Sequence, residues 1–146
     1  MAVTELDLTL PDALAQLSFA VQSAIARVAD ADGLSQVQVR LLGILRDREP
    51  AMLTLATFLN LDKSSVTGLV DRAERRGLVR RTTTPEDRRT VRVALTDRGR
   101  QLTQKLAKQV ERELSALVSG VSKADRRRLL AIAGQIVVND AQRRSG

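Results

Sequence analysis

LNLDKSSVTGLVDRAERRGLV, residues 59–79, has the pattern of a helix-turn-helix. Asn60 tolerates the left-handed backbone of a tight turn, and Asp62 stands where an N-cap opens a second helix that Gly77 closes. The apolar residues of this second helix recur at helical spacing, so one face is predicted to be buried and the other presented. These apolar residues are Val66, Leu69, Val70 and Ala73.

The following segment, RRTTTPEDRRTVRVALTDRG at residues 80–99, predicts a β-hairpin. Residues 78–81 and 90–95 are the two strand candidates, and the second alternates Val91, Val93 and Leu95 with other residues. The loop TTTPEDRR between them carries a proline, two acids and two arginines, so it is predicted to be a solvated tip with a positive end. Helix, turn, helix and hairpin together indicate a winged helix-turn-helix.

The same segment resembles the MarR family of winged helix-turn-helix transcription regulators. Five residues match the D-x-R…L-T-x-x-G signature of that family in order and spacing: Asp87, Arg89, Leu95, Thr96 and Gly99. The other matching residues lie in the helix-turn-helix: Leu59, Leu61, Lys63, Ser64, Val66, Thr67, Leu69, Val70, Asp71, Arg72, Gly77, Leu78 and Val79. The resemblance implies a homodimer in which the first and last helices interleave across a two-fold axis.

Outside this segment, periodicity predicts the remaining helices. One helix is predicted at residues 11–29, with Thr9 as part of its start signal. A second begins at the capping-box pair Ser35 and Gln38, and a long helix follows Thr96. A last helix begins at Ser122 and is too apolar for a single contact face, which indicates a second subunit. The predicted fold is mainly α, with six helices and a small antiparallel hairpin. One domain is expected at residues 11–142, with the DNA-binding lobe at 35–99 and dimerisation helices at 11–29 and 100–142.

Composition excludes several classes of function. The 146-residue chain has no cysteine and no histidine, so disulfides, thiol redox sensing and histidine catalysis are excluded. No apolar run approaches the roughly 20 residues that span a bilayer, and a cytoplasmic protein without cofactors is expected. No G-x-S-x-G motif, glycine-rich phosphate loop or paired metal-ligand spacing is present, so an enzyme is not predicted.

Charge is distributed unevenly along the chain, which has a net charge of +7. Residues 62–100 hold eleven basic and six acidic side chains, whereas residues 1–34 hold one basic and five acidic ones. An excess of positive charge on an element that fits a DNA groove predicts a polyanionic partner. The alternative is a solvated basic face without a partner.

Eight residues are candidate DNA contacts. The start of an α-helix in the major groove meets base edges and phosphate, and an arginine at a wing tip can enter a narrow minor groove. By resemblance Arg89 is the inserted residue, and Asp87 braces the wing through an ion pair. Ser64 and Ser65 also have a purely structural interpretation, as first-turn helix residues. The eight are Lys63, Ser64, Ser65, Thr67, Gly68, Arg72, Arg88 and Arg89.

Gly68 departs from the family pattern, in which a long side chain, often arginine, stands at this position. Close approach of the backbone to DNA and drift at a tolerant position are both open interpretations. About half of the arginines at positions 72, 75, 76, 80 and 81 are expected to contact phosphate.

The predicted function is a sequence-specific regulator, a repressor, that binds a palindromic duplex as a homodimer and is released by a small-molecule effector. The alternative is a winged-helix module that binds RNA or protein. With no Tyr or Trp, and with Phe19 and Phe58 both at apolar positions of the pattern, the chain lacks base-stacking platforms. This composition argues against single-stranded nucleic acid.

Overall fold

The computed structural model describes residues 7–146, and over this range the chain forms six helices and one two-stranded antiparallel sheet. The predicted fold class is confirmed. The elements in chain order are α1 (Leu10–Ala31), α2 (Gln36–Leu45), α3 (Met52–Leu59), α4 (Lys63–Arg75), β1 (Val79–Thr82), β2 (Arg92–Leu95), α5 (Asp97–Leu117) and α6 (Lys123–Ser145).

Side-chain caps fix the starts of the helices. Ser35 accepts a hydrogen bond from the Gln38 amide while the Gln38 side chain accepts from the Ser35 amide, so the predicted capping box is present. Ser122 accepts from the amide of Asp125 at the start of α6. The C-terminal end of α1 differs from the prediction, since the helix continues to Ala31, two residues beyond its predicted end. It stops before Gly33, whose φ of 65° favours glycine.

Both strands begin later than the sequence predicts, since β1 is shifted by one residue to Val79–Thr82 and β2 is shortened to Arg92–Leu95. Leu78 belongs to the turn that follows α4, since its amide donates to the carbonyl of Ala73, and β1 therefore begins at Val79. Thr90 belongs to the wing loop because it is hydrogen-bonded to Asp87, and β2 begins only at Arg92. Local hydrogen bonds of the flanking elements thus displace the strand ends that alternation predicted.

The chain divides into two compact units, the first ending at Glu113 and the second running from Leu114 to Gly146. The core of the first unit draws on all five of its helices and both strands. Burial of one large apolar side chain contributes about 1.5–3 kcal/mol to the stability of the fold, so this core holds α4 and the wing to α1, α2 and α5. Its largest fully buried side chains are Leu41, Leu42, Leu55, Leu59, Leu69, Leu106, Val66, Val70, Val79 and Val93.

The second unit consists of the end of α5, a turn and α6. No residue of α6 is buried, and Leu130 is 74% exposed. Other apolar side chains of this helix are exposed as well, namely Leu129, Ile132, Ile136, Val137 and Val138. This pattern agrees with the predicted excess of apolar surface on α6, while the dimer that would cover it stays a prediction.

The sequence places both phenylalanines at apolar positions, but the structure does not bury either of them. Phe19 is 59% exposed on α1 and Phe58 is 42% exposed on α3, so neither lies in the core. The guanidinium of Arg48 lies 5.4 Å from the centre of the Phe58 ring and covers part of it. Periodicity alone does not distinguish these sites from buried ones, because both lie on helices whose apolar surface exceeds their contact face.

Among the helices of residues 7–146, none is long and apolar enough to cross a membrane.

Candidate nucleic-acid interface

The turn between α3 and α4 fixes the start of α4. Asn60 adopts the predicted left-handed conformation, with φ 53° and ψ 47°. The carboxylate of Asp62 accepts hydrogen bonds from the amide of Ser65 at 2.7 Å and from the hydroxyl of Ser64 at 2.8 Å. These bonds favour the ionised form, so the Ser65 amide, followed by the serine hydroxyls, lowers the pKa of Asp62 below its ordinary value. The helix N-terminus is therefore held by a charged cap.

Helix α4 has the two faces that its sequence predicts. Four residues are buried at 2% exposure or less, namely Val66, Leu69, Val70 and Ala73. The opposite face exposes Lys63, Ser64, Ser65, Thr67 and Arg72, with Gly68 half-buried among them. The core therefore determines which face of α4 is free to meet a partner.

Two of the hydroxyl groups on this face are already engaged within the chain. Ser64 donates to Asp62, and Thr67 donates to the carbonyl of Lys63 at 2.9 Å. The structural interpretation of Ser64, as part of the helix start, is thus correct for the free protein. Each hydroxyl oxygen keeps a lone pair that can accept a hydrogen bond from a base or another donor.

The arginines at the end of α4 and in β1 fall into two groups. Arg76 donates to the carbonyls of Gly33 at 3.2 Å and Asp32 at 3.5 Å, which ties the end of α4 to the end of α1. Arg81 forms ion pairs with Asp71 at 2.6 Å and Glu74 at 2.9 Å. The others, which have no side-chain hydrogen bond or ion pair with residues 7–146, are Arg72, Arg75 and Arg80.

Asp87 organises the wing loop by hydrogen bonds. Its carboxylate accepts from the Thr90 hydroxyl at 2.5 Å and from the amides of Arg89 and Thr90, while its own amide donates to Thr84. Chiefly through the Thr90 hydroxyl, these bonds lower the pKa of Asp87. The predicted ion pair is wrong, since none of the ion pairs within the described range includes Asp87. Two amides and a hydroxyl satisfy the carboxylate within the loop.

The structure brings one wing arginine close to α4. Arg89 lines a cavity of about 420 Å³ together with Lys63 and Thr67 of α4 and Met52 and Leu53 of α3. Arg88 is exposed on the same loop and does not line this cavity. Three of the predicted contacts therefore surround a single concave surface between α3, α4 and the wing.

A short backbone ladder that the sequence did not indicate anchors the wing to α3. The amide of Val93 donates to the carbonyl of Pro50 at 3.0 Å, and the amide of Met52 donates to the carbonyl of Val91 at 3.1 Å. Arg92 also donates from its guanidinium to the carbonyl of Glu49. Pro50 has no backbone N–H to donate to such a ladder. Its carbonyl can still accept in a ladder, and no pattern in the segment reveals its partner.

The signature residues Thr96 and Gly99 form the seam between α4, β1 and α5. The Thr96 hydroxyl donates to the carbonyl of Gly77 at 2.6 Å and accepts from the amide of Gly99 at 3.0 Å, so it caps α5 as predicted. A Cβ atom at position 99 would lie 1.9 Å from the carbonyl oxygen of Leu78. Only glycine allows α5 to begin this close to the first strand of the wing.

Comparison with known proteins agrees with this architecture. Residues 34–91 match the sequence model of the MarR family. The chain belongs to the MarR family. The HTH-type transcriptional regulator YdgJ of Bacillus subtilis, described as uncharacterized, is 32% identical over 105 residues, which make up 71% of this chain. The chain spans 64% of the length of YdgJ.

Solved structures extend the agreement in fold. The crystal structure of MarR superposes with a TM-score of 0.82, at 23% identity and with 99% of each chain covered. CouR from Rhodococcus jostii RHA1, bound to p-coumaroyl-CoA, superposes with a TM-score of 0.76 at 26% identity, and covers 87% of this chain and 90% of its own. MarR-family proteins are transcription regulators and not enzymes, in agreement with the absence of catalytic motifs from the sequence.

Proposed function

We propose that this protein is a homodimeric repressor that binds a palindromic duplex DNA operator in the cytoplasm. The observation that carries the proposal is the exposed face of α4, which is polar and basic, opposite a fully buried face. An α-helix of this kind fits the major groove, and its capped N-terminus can approach phosphate. The proposed contacts are the eight residues predicted from the sequence: Lys63, Ser64, Ser65, Thr67, Gly68, Arg72, Arg88 and Arg89.

The wing supplies the second contact of each half-site. Arg88 and Arg89 are exposed on a loop that Asp87 holds, and an arginine in a narrow minor groove gains from the enhanced negative potential there. Two wings and two α4 helices related by a two-fold axis require half-sites about one helical turn apart.

The proposed dimer forms through the terminal helices, residues 11–29 and 100–142. In support, α1 exposes Leu10, Leu14 and Leu17, and α6 exposes a nearly continuous apolar surface. Contiguous apolar surface of this kind marks an interaction site in soluble proteins. A second copy is the partner that the family resemblance implies.

A small aromatic carboxylate is the proposed effector. The first unit contains a cavity of about 210 Å³ between α1, α2 and α5, with a mainly apolar lining that includes Arg40 and Arg46. An apolar cavity bordered by two arginine residues suits an aromatic acid, and the bound coumaroyl group of CouR is of related chemistry. An effector that binds better to a form unable to fit the operator would release the DNA.

The test is a comparison of duplex DNA, single-stranded DNA and RNA at fixed salt, by fluorescence anisotropy, with the duplex selected from a randomised pool. We expect enrichment of a palindrome and a clear preference for duplex. For roughly 6 to 10 phosphate contacts, log K against log salt should have a slope of about −5 to −9. A flat salt response, or equal binding of RNA, would favour the interaction-module alternative instead. Addition of 4-hydroxybenzoate to the complex then tests the effector separately.

A further inference from the structure

Gly68 and Arg72 form a pair on the exposed face of α4. Residues four apart on a helix are neighbours, and helical side chains lean toward the N-terminus. The Arg72 side chain follows this rule, since a Cβ atom built at position 68 would lie 3.4 Å from its Nη1 atom. The guanidinium therefore lies against the bare backbone of Gly68, one turn nearer the helix N-terminus than its own Cα.

The Arg72 guanidinium has no bonded partner in the described part of the chain. It makes no side-chain hydrogen bond or ion pair there, although Asp71 and Glu74 are close in sequence. Both of these acids are engaged by Arg81 instead. By contrast, Arg76 on the same helix is bound to backbone carbonyls. Arg72 thus presents a charged fork of N–H donors without an internal partner on the face that lacks core contacts.

We propose that Arg72 is the residue that reads a guanine in each half-site, and that the missing side chain at Gly68 leaves the space in which its guanidinium lies. This inference rests on the proposed function. An arginine fork can donate two parallel hydrogen bonds to the O6 and N7 atoms of guanine in the major groove. Because Gly68 has no side chain, the fork can lie flat against the helix and reach the part of α4 that enters the groove most deeply. Arg72 is therefore a determinant of sequence preference in addition to a source of positive charge.

The size of residue 68 is the variable that tests this geometry. Alanine adds one methyl group at 3.4 Å from Nη1, an ordinary contact distance, so the guanidinium keeps its place in Gly68→Ala. Leucine adds atoms beyond Cβ in the volume that the guanidinium occupies, so Gly68→Leu displaces it. Both residues form helices better than glycine, and neither variant should lose thermal stability.

The experiment measures operator affinity and base preference for five variants, using the duplex that the wild-type protein selects. Arg72→Ala and Gly68→Leu should each lose the preference for guanine at one position of each half-site, with affinity for the selected duplex reduced roughly 5- to 100-fold. Gly68→Ala should keep the preference. Arg75→Ala removes the same charge from the same helix and should weaken all sequences equally. In the double variant Gly68→Leu, Arg72→Ala, leucine should add no further loss, since the two single changes remove one interaction.

The outcomes separate this inference from the proposed function. If the wild-type protein selects no duplex, the proposed function fails before Arg72 is tested. If a palindrome is selected and Arg72→Ala weakens every sequence equally, as Arg75→Ala does, Arg72 contacts phosphate only and the inference is overturned. If Gly68→Leu costs as much in the Arg72→Ala background as alone, leucine collides with the DNA directly and the role given to Gly68 is wrong.

Discussion

Arg89 is the residue at which DNA binding can be tested with the least effect on folding. Its side chain is exposed, and only its backbone amide takes part in the wing hydrogen bonds. We expect Arg89→Ala to weaken operator binding by about 1–3 kcal/mol while the thermal midpoint and the dimer stay unchanged. Arg89→Lys should recover part of this loss, because lysine keeps the charge but is more strongly hydrated. Binding isotherms and thermal melts of the same samples measure both effects.

Thr67→Ala is the companion variant, because Thr67 lies on α4 and not on the wing. It should alter which bases are preferred, whereas Arg89→Ala should mainly alter affinity. Unchanged affinity of Arg89→Ala, with unchanged stability, would exclude insertion of this arginine into the minor groove.

The carboxylate of Asp87 gives the wing a defined response to pH. The pKa of Asp87 is lowered from its ordinary value of 3.8, first by the Thr90 hydroxyl and then by the amides of Thr90 and Arg89. A carboxylate with a lowered pKa contributes stability that is complete above pH 3.8 and is lost as the pH falls through the lowered pKa. We expect the amide resonances of Arg89 and Thr90 to shift only below about pH 3.8 in an NMR titration, with no change between pH 5 and 8. In Asp87→Asn this transition should disappear.

At the scale of the elements, the junction between β1 and α5 leaves no room for a side chain at Gly99. A Cβ atom at position 99 would lie 1.9 Å from the Leu78 carbonyl oxygen, which is backbone and cannot rotate away. We expect Gly99→Ala to reduce the free energy of unfolding by about 3 kcal/mol, the upper range for overpacking. Chemical denaturation measures this change.

Gly43→Ala is the matched control for that prediction. Gly43 lies within α2, and nothing lies within 4 Å of an added Cβ atom there. Alanine should therefore stabilise the helix by up to about 1 kcal/mol. If both glycine variants had equal stability, the close approach at Gly99 would not be a constraint on the fold.

At the scale of the whole molecule, the exposed apolar surface of α6 predicts self-association. Leu130 is 74% exposed in the single chain, and burial of one leucine contributes about 1.5–3 kcal/mol in each of two symmetric subunits. Leu130→Asp should raise the dimer dissociation constant by at least about a hundredfold, because it also places a charge in that surface. Sedimentation velocity over a concentration series measures the change.

Gln135→Asp introduces the same charge at a polar position of α6 and should leave the dimer intact. The wild-type protein is expected to show no folded monomer at micromolar concentration. A stable wild-type monomer would contradict the dimer, and the model of two α4 helices on one palindrome would fail with it.

The sequence alone determined the elements and their faces. Local signals were sufficient for the caps at Ser35, Asp62 and Thr96, for the turn at Asn60 and for the buried stripe of α4. These features depend on residues within a few positions of one another, so periodicity and capping chemistry reveal them. The motif around Asp87 and Gly99 likewise indicated the family, because its spacing is fixed within one segment.

Only the tertiary structure decided which partners the remaining side chains have. It assigned Arg76 to the carbonyls at the end of α1 and Arg81 to two acids, and left Arg72 without a partner against Gly68. It also paired the carbonyl of Pro50 with the amide of Val93. An arginine side chain is long enough to reach several partners, and the fold determines which of them it meets by bringing distant segments together. Sequence spacing carries no information about such contacts, since the paired residues lie up to 44 positions apart.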